Sequence, residues 1–454
     1  MRNYDLEVPI SSENKAITKD MERCISCGHC LNVCPPRVAA QQKIDIENNQ
    51  EILCISCGQC ANICPVEAIK ERMAYQEVKN LLEQKEGKCI IFSIAPAVRV
   101  ALGEEFGLDA GENIESFLPT ALKKLGADYV FDITFGADLT IMEEATEFLK
   151  RIQTQEKIPQ FSSCCPAWVK YVEVFYPEYI PHLSTTKSPI SMQSTMIKTL
   201  FASKIKKLPE EIVHIVVAPC TAKKSEITRK ELSVTSQDTN YVLTTRELAM
   251  LLKQSKIDIA SLKPSSFDEP FPVGSGAGVI FGNSGGVSEA ALRTAYFVLT
   301  GHEHELIKFE AVRGLQGVKE AAIDINGTIV NVAVASGMKS AKVLLDEIRA
   351  GKSKYAFIEI MGCPGGCING GGQPYVKPMF LPNEDLDILE TYREKRASVL
   401  YSEDERQQIR QSHNNPDIIK LYNDFLGHPL SEKAEELLHT SYEAHRERYP
   451  EEKE

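Results

Sequence analysis

"CISCGHCLNVCP", residues 24–35, returns as "CISCGQCANICP" at residues 54–65, and each copy reads C-x2-C-x2-C-x3-C-P. Three cysteines on so tight a loop can wrap one iron-sulfur cube, while the fourth, leaving on a helical turn, faces away and completes a neighbouring cube. That rule gives one cube Cys24, Cys27, Cys30 and Cys64, and the other Cys54, Cys57, Cys60 and Cys34. Zinc also accepts four thiolates. Two full runs, each closed by proline, argue against it, as do Gly28 and Gly58, which let backbone approach inorganic sulfide.

The double run resembles the bacterial ferredoxins, whose two close clusters pass single electrons. The first 75 residues hold 10 Asp and Glu against 8 Lys and Arg, close to neutral in a chain of net charge -12. A small acidic electron carrier is repelled least there.

The rest of the composition narrows the class. A chain of 454 residues with 43% hydrophobic content is long enough for two or three domains with sizeable cores. The N-terminus lacks the pattern of a secretory signal, and no apolar run approaches the roughly 20 residues that span a bilayer. The expectation is a cytoplasmic protein with no membrane partner, and the acidic balance excludes a nucleic-acid partner. In a reducing compartment the 14 cysteines read as metal ligands or redox centres rather than disulfides. Only Cys89, inside the apolar run KCIIFSIAP, stands apart and reads as a buried structural thiol.

Beyond residue 88, β-branched runs alternate with amphipathic stretches, the pattern of α/β layers. Strand candidates are KCIIFSI, DYVFDIT, IVHIVVAPC, TIVNVAVAS and YAFIEIMGC. Cys220 and Cys363 close two of them, where open α/β sheets hold ligands. With Cys164 and Cys165 in FSSCCPAW and Cys367 in MGCPGGCINGGGQP, five cysteines remain for a third site. The glycines of that last stretch expose backbone amides to something bulky and electron-rich. Lys223, three residues after Cys220, falls on the same side of a helical turn. A four-cysteine cluster leaves one thiol over. Adjacent side chains diverge, so it is one of the pair Cys164 and Cys165, free to carry a proton or form a disulfide.

In order and spacing, FSSCCPAW, APCTAKKSE and MGCPGGCINGGGQP resemble the three signature motifs of the FeFe hydrogenases, and the likeness covers nearly the whole chain. It implies an α/β catalytic domain of two lobes enclosing the H-cluster, with an N-terminal α+β bacterial-ferredoxin-like domain and a helical C-terminal extension. The boundaries expected are 1–78, 79–390 and 391–454. The H-cluster is a 4Fe-4S cube joined through a cysteine sulfur to a diiron unit with carbon monoxide, cyanide and an azadithiolate bridge. By the resemblance Cys165, Cys220, Cys363 and Cys367 bind the cube and Cys367 bridges to the diiron unit. Cys164 becomes the proton donor, Lys223 bonds a cyanide, and Ala95, Pro96 and Met361 wall the cofactor. The two ferredoxin-like cubes are the accessory clusters.

The same likeness implies a proton relay. ADLTIMEEATEFLKRI, residues 137–152, reads as an amphipathic helix opened by a capping box of Thr140 and Glu143. Glu144 falls on the apolar stripe, where a carboxylate is expensive to bury. With Glu147, Ser184 and Arg151 it resembles the family's path from cysteine to surface. The tail at 421–450 resembles a small-subunit-like extension, read as packing by docked helices. Three positions depart from the better-known members: Ala218 and Ser288 stand where they have methionine, and Ile190 where they have glutamine. The implied activity is reversible reduction of protons to dihydrogen, with ferredoxin or flavodoxin as electron carrier and dedicated maturation enzymes as partners. A hydrogen sensor and an iron-sulfur assembly factor are the alternatives. Cys164, Lys223 and Gln373 speak against the latter.

Overall fold

The computed structural model describes residues 8–35, 53–303, 317–325, 327–376 and 384–444. Near the N-terminus, strands β1 (Ile17–Lys19) and β2 (Ile69–Glu71) pair antiparallel and hold the two cysteine runs between them. The sequence repeat is also a backbone repeat. Ser26 and Gly28 adopt positive φ at 55° and 76°, Ser56 and Gly58 at 60° and 72°. Each glycine then starts a short helix, His29–Val33 or Gln59–Asn62.

Two four-stranded sheets make the catalytic layers. In the first, β3 (Cys89–Ile94), β4 (Tyr129–Asp132), β6 (Ile212–Val217) and β7 (Tyr241–Leu243) are all parallel, in the order β4-β3-β6-β7. Every residue of β3 and β6 is buried, as the unbroken apolar runs of a sheet covered on both faces require. In the second, β5 (Gln160–Phe161), β10 (Phe357–Met361) and β9 (Thr328–Ser336) are parallel, and β8 (Val318–Ile325) closes the edge as an antiparallel hairpin partner. Four expected strands are found at the expected places, shorter by a few residues at their ends, and TIVNVAVAS matches β9 fully. Cys89 is buried in β3.

The helix expected over 137–152 needs correction. It runs Ile133–Thr154 and is opened by Asp132, whose carboxylate accepts from the Thr134 amide at 2.9 Å. So Ile133 and Thr134, read as strand, are already helical. Thr140 is not a cap: its hydroxyl donates back to the Gly136 carbonyl at 3.0 Å. Nor is the helix amphipathic in its first turns, where Ile133 through Ile141 are all buried. Helices Pro189–Met196 and Gly286–Thr300 pack against it.

At the C-terminal end lie helices Glu384–Arg406, Pro416–Leu421 and Glu432–Leu438. Leu437 and Leu438 are buried on the last of these. Tyr442, expected on a docked helix, lies beyond it in irregular backbone, under the Arg229 guanidinium at 5.5 Å. Residues 445–454 of the expected extension lie outside the described residues. No described helix is long and apolar enough to cross a membrane.

Candidate active site

The ends of both sheets converge on one cavity. Ala95, Pro96 and Ala97 reach it just after β3, and Ala218, Pro219 and Cys220 just after β6. From the second sheet come Cys164 and Cys165 after β5, then Met361, Gly362 and Cys363 at the end of β10, with Gly366 and Cys367 beyond. All five remaining cysteines therefore meet, and so do Lys223, Ala95, Pro96 and Met361. Almost all of the lining is apolar or backbone.

The adjacent pair separates as extended backbone dictates, with neighbouring side chains on opposite sides. Cys165, at φ -96° and ψ 106°, caps helix Pro166–Phe175, and its sulfur accepts from the Gly362 amide at 3.4 Å. That places Cys165 against the loop carrying Cys363. Cys164 turns the other way: Glu144 is the charged group that most opposes its ionisation, ahead of Cys165, Glu359 and Cys367. Burial, aided by these neighbours, holds the Cys164 thiol well above its ordinary value.

Cys165 and Cys220 both raise the proton affinity of Cys363 and Cys367, and Cys165 raises that of Cys220, which marks the four as close neighbours. Burial first, then Cys165, pushes Cys220 up to about 12. Thiols so placed keep their protons unless a metal takes the protons' place. Among the described residues no three His, Cys, Asp or Glu side chains can hold a single metal ion. Four thiols that line one cavity yet do not converge on a single ion suit a multinuclear iron-sulfur group better than one zinc, so the residues fit the group that the sequence implies.

The accessory sets assemble likewise. Cys24, Cys27, Cys30 and Cys64 line one pocket. Cys60 has Cys57, Cys34 and Cys54 as its main charged neighbours, and burial lifts it well above the ordinary range. Cys57 also lines the central cavity, so the second set abuts the third. The glycines of the third motif turn out to serve this contact as well as the cavity. A Cβ on Gly371 would stand 2.6 Å from Gly58 Cα and closer still to the Cys57 carbonyl; on Gly372 it would strike Thr244. Those two glycines admit neighbouring backbone and a threonine, not a cofactor. Gln59 Nε2 donating to the Asn369 carbonyl at 2.8 Å and Thr221 Oγ1 donating to the Ser56 carbonyl at 2.6 Å fasten the same junction.

Lys223 Nζ lies 2.6 Å from Glu226 Oε2 and donates to the Cys164 carbonyl at 3.2 Å. Burial opposes the charge, but the charge and hydrogen bond of Glu226, with Cys220 and Cys164, together hold the ammonium above its ordinary value, so a fixed cation faces the cavity.

Behind Cys164 stands Glu144, fully buried, with neither carboxyl oxygen hydrogen-bonded. Burial, then the nearby Glu147, push it up to about 8. Glu147 is one turn on. It accepts from Ser184 Oγ at 2.8 Å and from Arg151 Nη2 at 2.6 Å. The sequence reading missed Glu359, buried in β10, which accepts from the Gly285 and Ser288 amides at 2.7 Å each. Burial pushes it up to about 7. A lone acid inside YAFIEIMGC was the available signal. Of the three departures, Ala218 and Ile190 line the cavity; Ser288 stands behind it, on Glu359.

Comparison with known proteins agrees with this geometry. Residues 88–371 match the family described as iron only hydrogenase large subunit, C-terminal domain. Residues 390–445 match the iron hydrogenase small subunit, and 23–69 a 4Fe-4S dicluster domain. Iron hydrogenase 1 of Clostridium pasteurianum is 40% identical over 95% of this chain and 77% of its own. The periplasmic [Fe] hydrogenase large subunit of Nitratidesulfovibrio vulgaris is 44% identical over 82% and 89%. A solved apo [FeFe]-hydrogenase variant from Chlamydomonas reinhardtii superposes with a TM-score of 0.71 at 37% identity, covering 82% of this chain and 99% of that one. A cytosolic Fe-S cluster assembly factor of Danio rerio is more distant, 30% identical over 79% and 87%.

Proposed function

The chain belongs to the FeFe hydrogenase family and catalyses the interconversion of protons and dihydrogen, and from that premise we propose how its residues divide the work. Cys165, Cys220, Cys363 and Cys367 would hold the cube of an H-cluster, with Cys367 shared with the diiron unit. Bound there, that cofactor supplies the metal and the bridging amine at which protons and electrons meet.

Everything else is the protein's part. Cys24, Cys27, Cys30 and Cys64 would hold one accessory cube, and Cys34, Cys54, Cys57 and Cys60 the other. Cys27 is exposed and Cys57 lines the cavity, so the two sets lead inward from an entry face to the site. A cytoplasmic ferredoxin or flavodoxin would load that face, and maturation enzymes would deliver the diiron unit. Lys223 offers a charge-assisted hydrogen bond to an anionic cyanide in a dry pocket. Ala95, Pro96 and Met361 exclude water around it. Cys164, kept protonated by burial, donates from Sγ. Glu144 at about 8 exchanges protons near neutral pH and reloads that thiol, and Ser184 and Glu147 reload Glu144 in turn.

The observation that carries this reading is the buried Cys164 thiol, which shares a cavity with four other cysteines and has the buried Glu144 carboxyl as its foremost charged neighbour. The test is the matured enzyme with reduced methyl viologen, hydrogen followed by gas assay, and infrared bands of bound carbonyl and cyanide as the measure of loading. Glu144→Ala should abolish most turnover with those bands intact. Unchanged turnover would remove the relay.

A further inference from the structure

The relay still lacks a last member. Arg151 donates to Glu147, to the Leu183 carbonyl at 2.8 Å and to the His182 carbonyl at 3.0 Å. A guanidinium carries five donors and no acceptor. It can hold Glu147 in place, but it cannot take a proton from solvent and pass it on. Arg151 is therefore a positioning residue, and protons need another side chain between Glu147 and water.

Thr185 occupies the other side of Glu147. Its hydroxyl donates to Oε1 at 3.1 Å and its amide to Oε2 at 3.0 Å. The same hydroxyl lies 2.7 Å from His439 Nδ1. His439 Nε2 is 3.0 Å from Glu143 Oε2, and Glu143 also accepts from Tyr422 OH at 2.5 Å and from the Leu430 amide at 2.9 Å. His439 comes from the C-terminal end of the chain, and its side chain keeps a 9% exposed edge. It is pinned there: His439 bridges Thr186 antiparallel, Thr440 N donates to Thr185 O, and Lys187 N donates to Leu438 O, both at 2.8 Å.

The row has a single hydroxyl proton at its middle. Thr185 Oγ1 lies within reach of both Glu147 Oε1 and His439 Nδ1 and can give its proton to only one of them at a time. Protons lead inward in the arrangement where that proton is on Glu147; His439 Nδ1 then donates to the Thr185 oxygen while Nε2 donates to Glu143, which takes a doubly protonated imidazole. The two hydrogens between His439 and Glu147 then both point toward Glu147.

We propose that His439, joined to Glu147 through the Thr185 hydroxyl, is where this chain exchanges protons with solvent, so that the C-terminal extension contributes to the proton path as well as to packing. The proposal rests on the reading of Glu144 and Glu147 as the inner relay. When Glu147 has passed a proton inward, it takes the hydroxyl proton of Thr185, whose oxygen takes the Nδ1 proton of His439. The imidazole is now neutral; it leaves Thr185, takes one proton from water at Nδ1 and returns doubly protonated, while the Thr185 hydroxyl turns back to Glu147. One proton has moved from solvent to Glu147 and nothing else has changed; hydrogen uptake runs the row backward.

His439→Gln keeps hydrogen-bonding groups near Glu143 and Thr185 but cannot be protonated, and Thr185→Val cuts the row at its middle. In the matured full chain each should lose about tenfold or more of turnover, with carbonyl and cyanide bands at their normal strength. Imidazole in solution should restore His439→Ala and leave Thr185→Val slow. A second readout does not depend on activity: in protein labelled with 15N-histidine, Glu147→Gln should shift the His439 Nδ1 resonance through Thr185. Normal turnover in His439→Gln, or an Nδ1 signal indifferent to Glu147→Gln, overturns the proposal. If Glu144→Ala is inactive at the same time, the inner relay survives and only this exit is lost. Normal turnover in Glu144→Ala as well would mean that the relay itself is wrong.

Discussion

Replacing Glu144 by glutamine should make the protein more stable and less active at once. The carboxyl is fully buried, neither oxygen is hydrogen-bonded, and burial lifts it from 4.5 to about 8. A folded-state value above the unfolded one means that the group's contribution is intact below about pH 4.5 and is lost as pH rises through 8. At 1.36 kcal/mol per pKa unit the full loss is ~5 kcal/mol, and most of it, ~4 kcal/mol, accrues between about pH 5 and pH 8. Glutamine has the same shape and no charge to bury. Whatever it costs to leave its amide unpaired is the same at both pH values and cancels in the comparison. The chain has several cooperative parts, so the quantity to measure is the shift of the main thermal transition between the two pH values, not one unfolding free energy. Expected is an unfolding temperature that falls with pH in the wild type and much less in Glu144→Gln, with turnover reduced about a hundredfold or more. Parallel curves would show that Glu144 is not held protonated by burial and would remove the reason for its exchanging protons near neutrality.

Two further substitutions probe the walls of the site. Lys223→Met leaves Glu226 as a buried carboxylate without its partner, at a cost of ~3–5 kcal/mol. Adding Glu226→Leu should restore thermal stability but not the carbonyl and cyanide bands, and recovery of both would deny Lys223 a role in holding the diiron unit. Gly371→Ala forces a methyl into the Cys57–Gly58 backbone, which cannot swing aside, at ~1–3 kcal/mol. It should loosen the ferredoxin-like part and expose the segment around Arg72 and Ala74 to limited proteolysis, whereas wild-type resistance would show that the contact is not what seats that part.

How much of this was legible depends on how far apart in the chain the interacting groups lie. Cysteine spacing within a loop is local chemistry, so the runs at 24–35 and 54–65 and the five cysteines around the cavity could be read directly. Strand ends supplied the rest, because Cys220 and Cys363 follow buried β-branched runs. Glu143 could not be read. Thr140 three residues before it imitates a capping box, yet the true cap is Asp132, and the partners of Glu143 are Tyr422 and His439, 279 and 296 residues further on. Gly371 and Gly372 look like a cradle for a ligand, and only the fold shows Gly58 and Thr244 already against them. The Ser288 amide serves Glu359, a residue whose meaning depends on helix Gly286–Thr300 coming to rest on β10.

The doubled cysteine solves a problem of relative position. A proton donor is useful only at a fixed distance from the reacting atoms on one side and from its own supplier on the other. Here a single turn sets both. The Ser162 amide donates to the Ile358 carbonyl, and the Trp168 indole donates to the Ser162 carbonyl at 3.0 Å, fixing the turn to β10 and to the helix that follows. Ser163 Oγ donates to the Thr186 carbonyl at 2.9 Å, and the Ser184 hydroxyl is 2.9 Å from that of Thr186, which ties the same turn to the segment carrying Ser184. A displacement of the turn therefore moves Cys165, Cys164 and the approach from Ser184 together. Their mutual spacing is conserved even if the turn shifts as a body. Two thiols on separate elements would need two such sets of restraints to hold the same geometry.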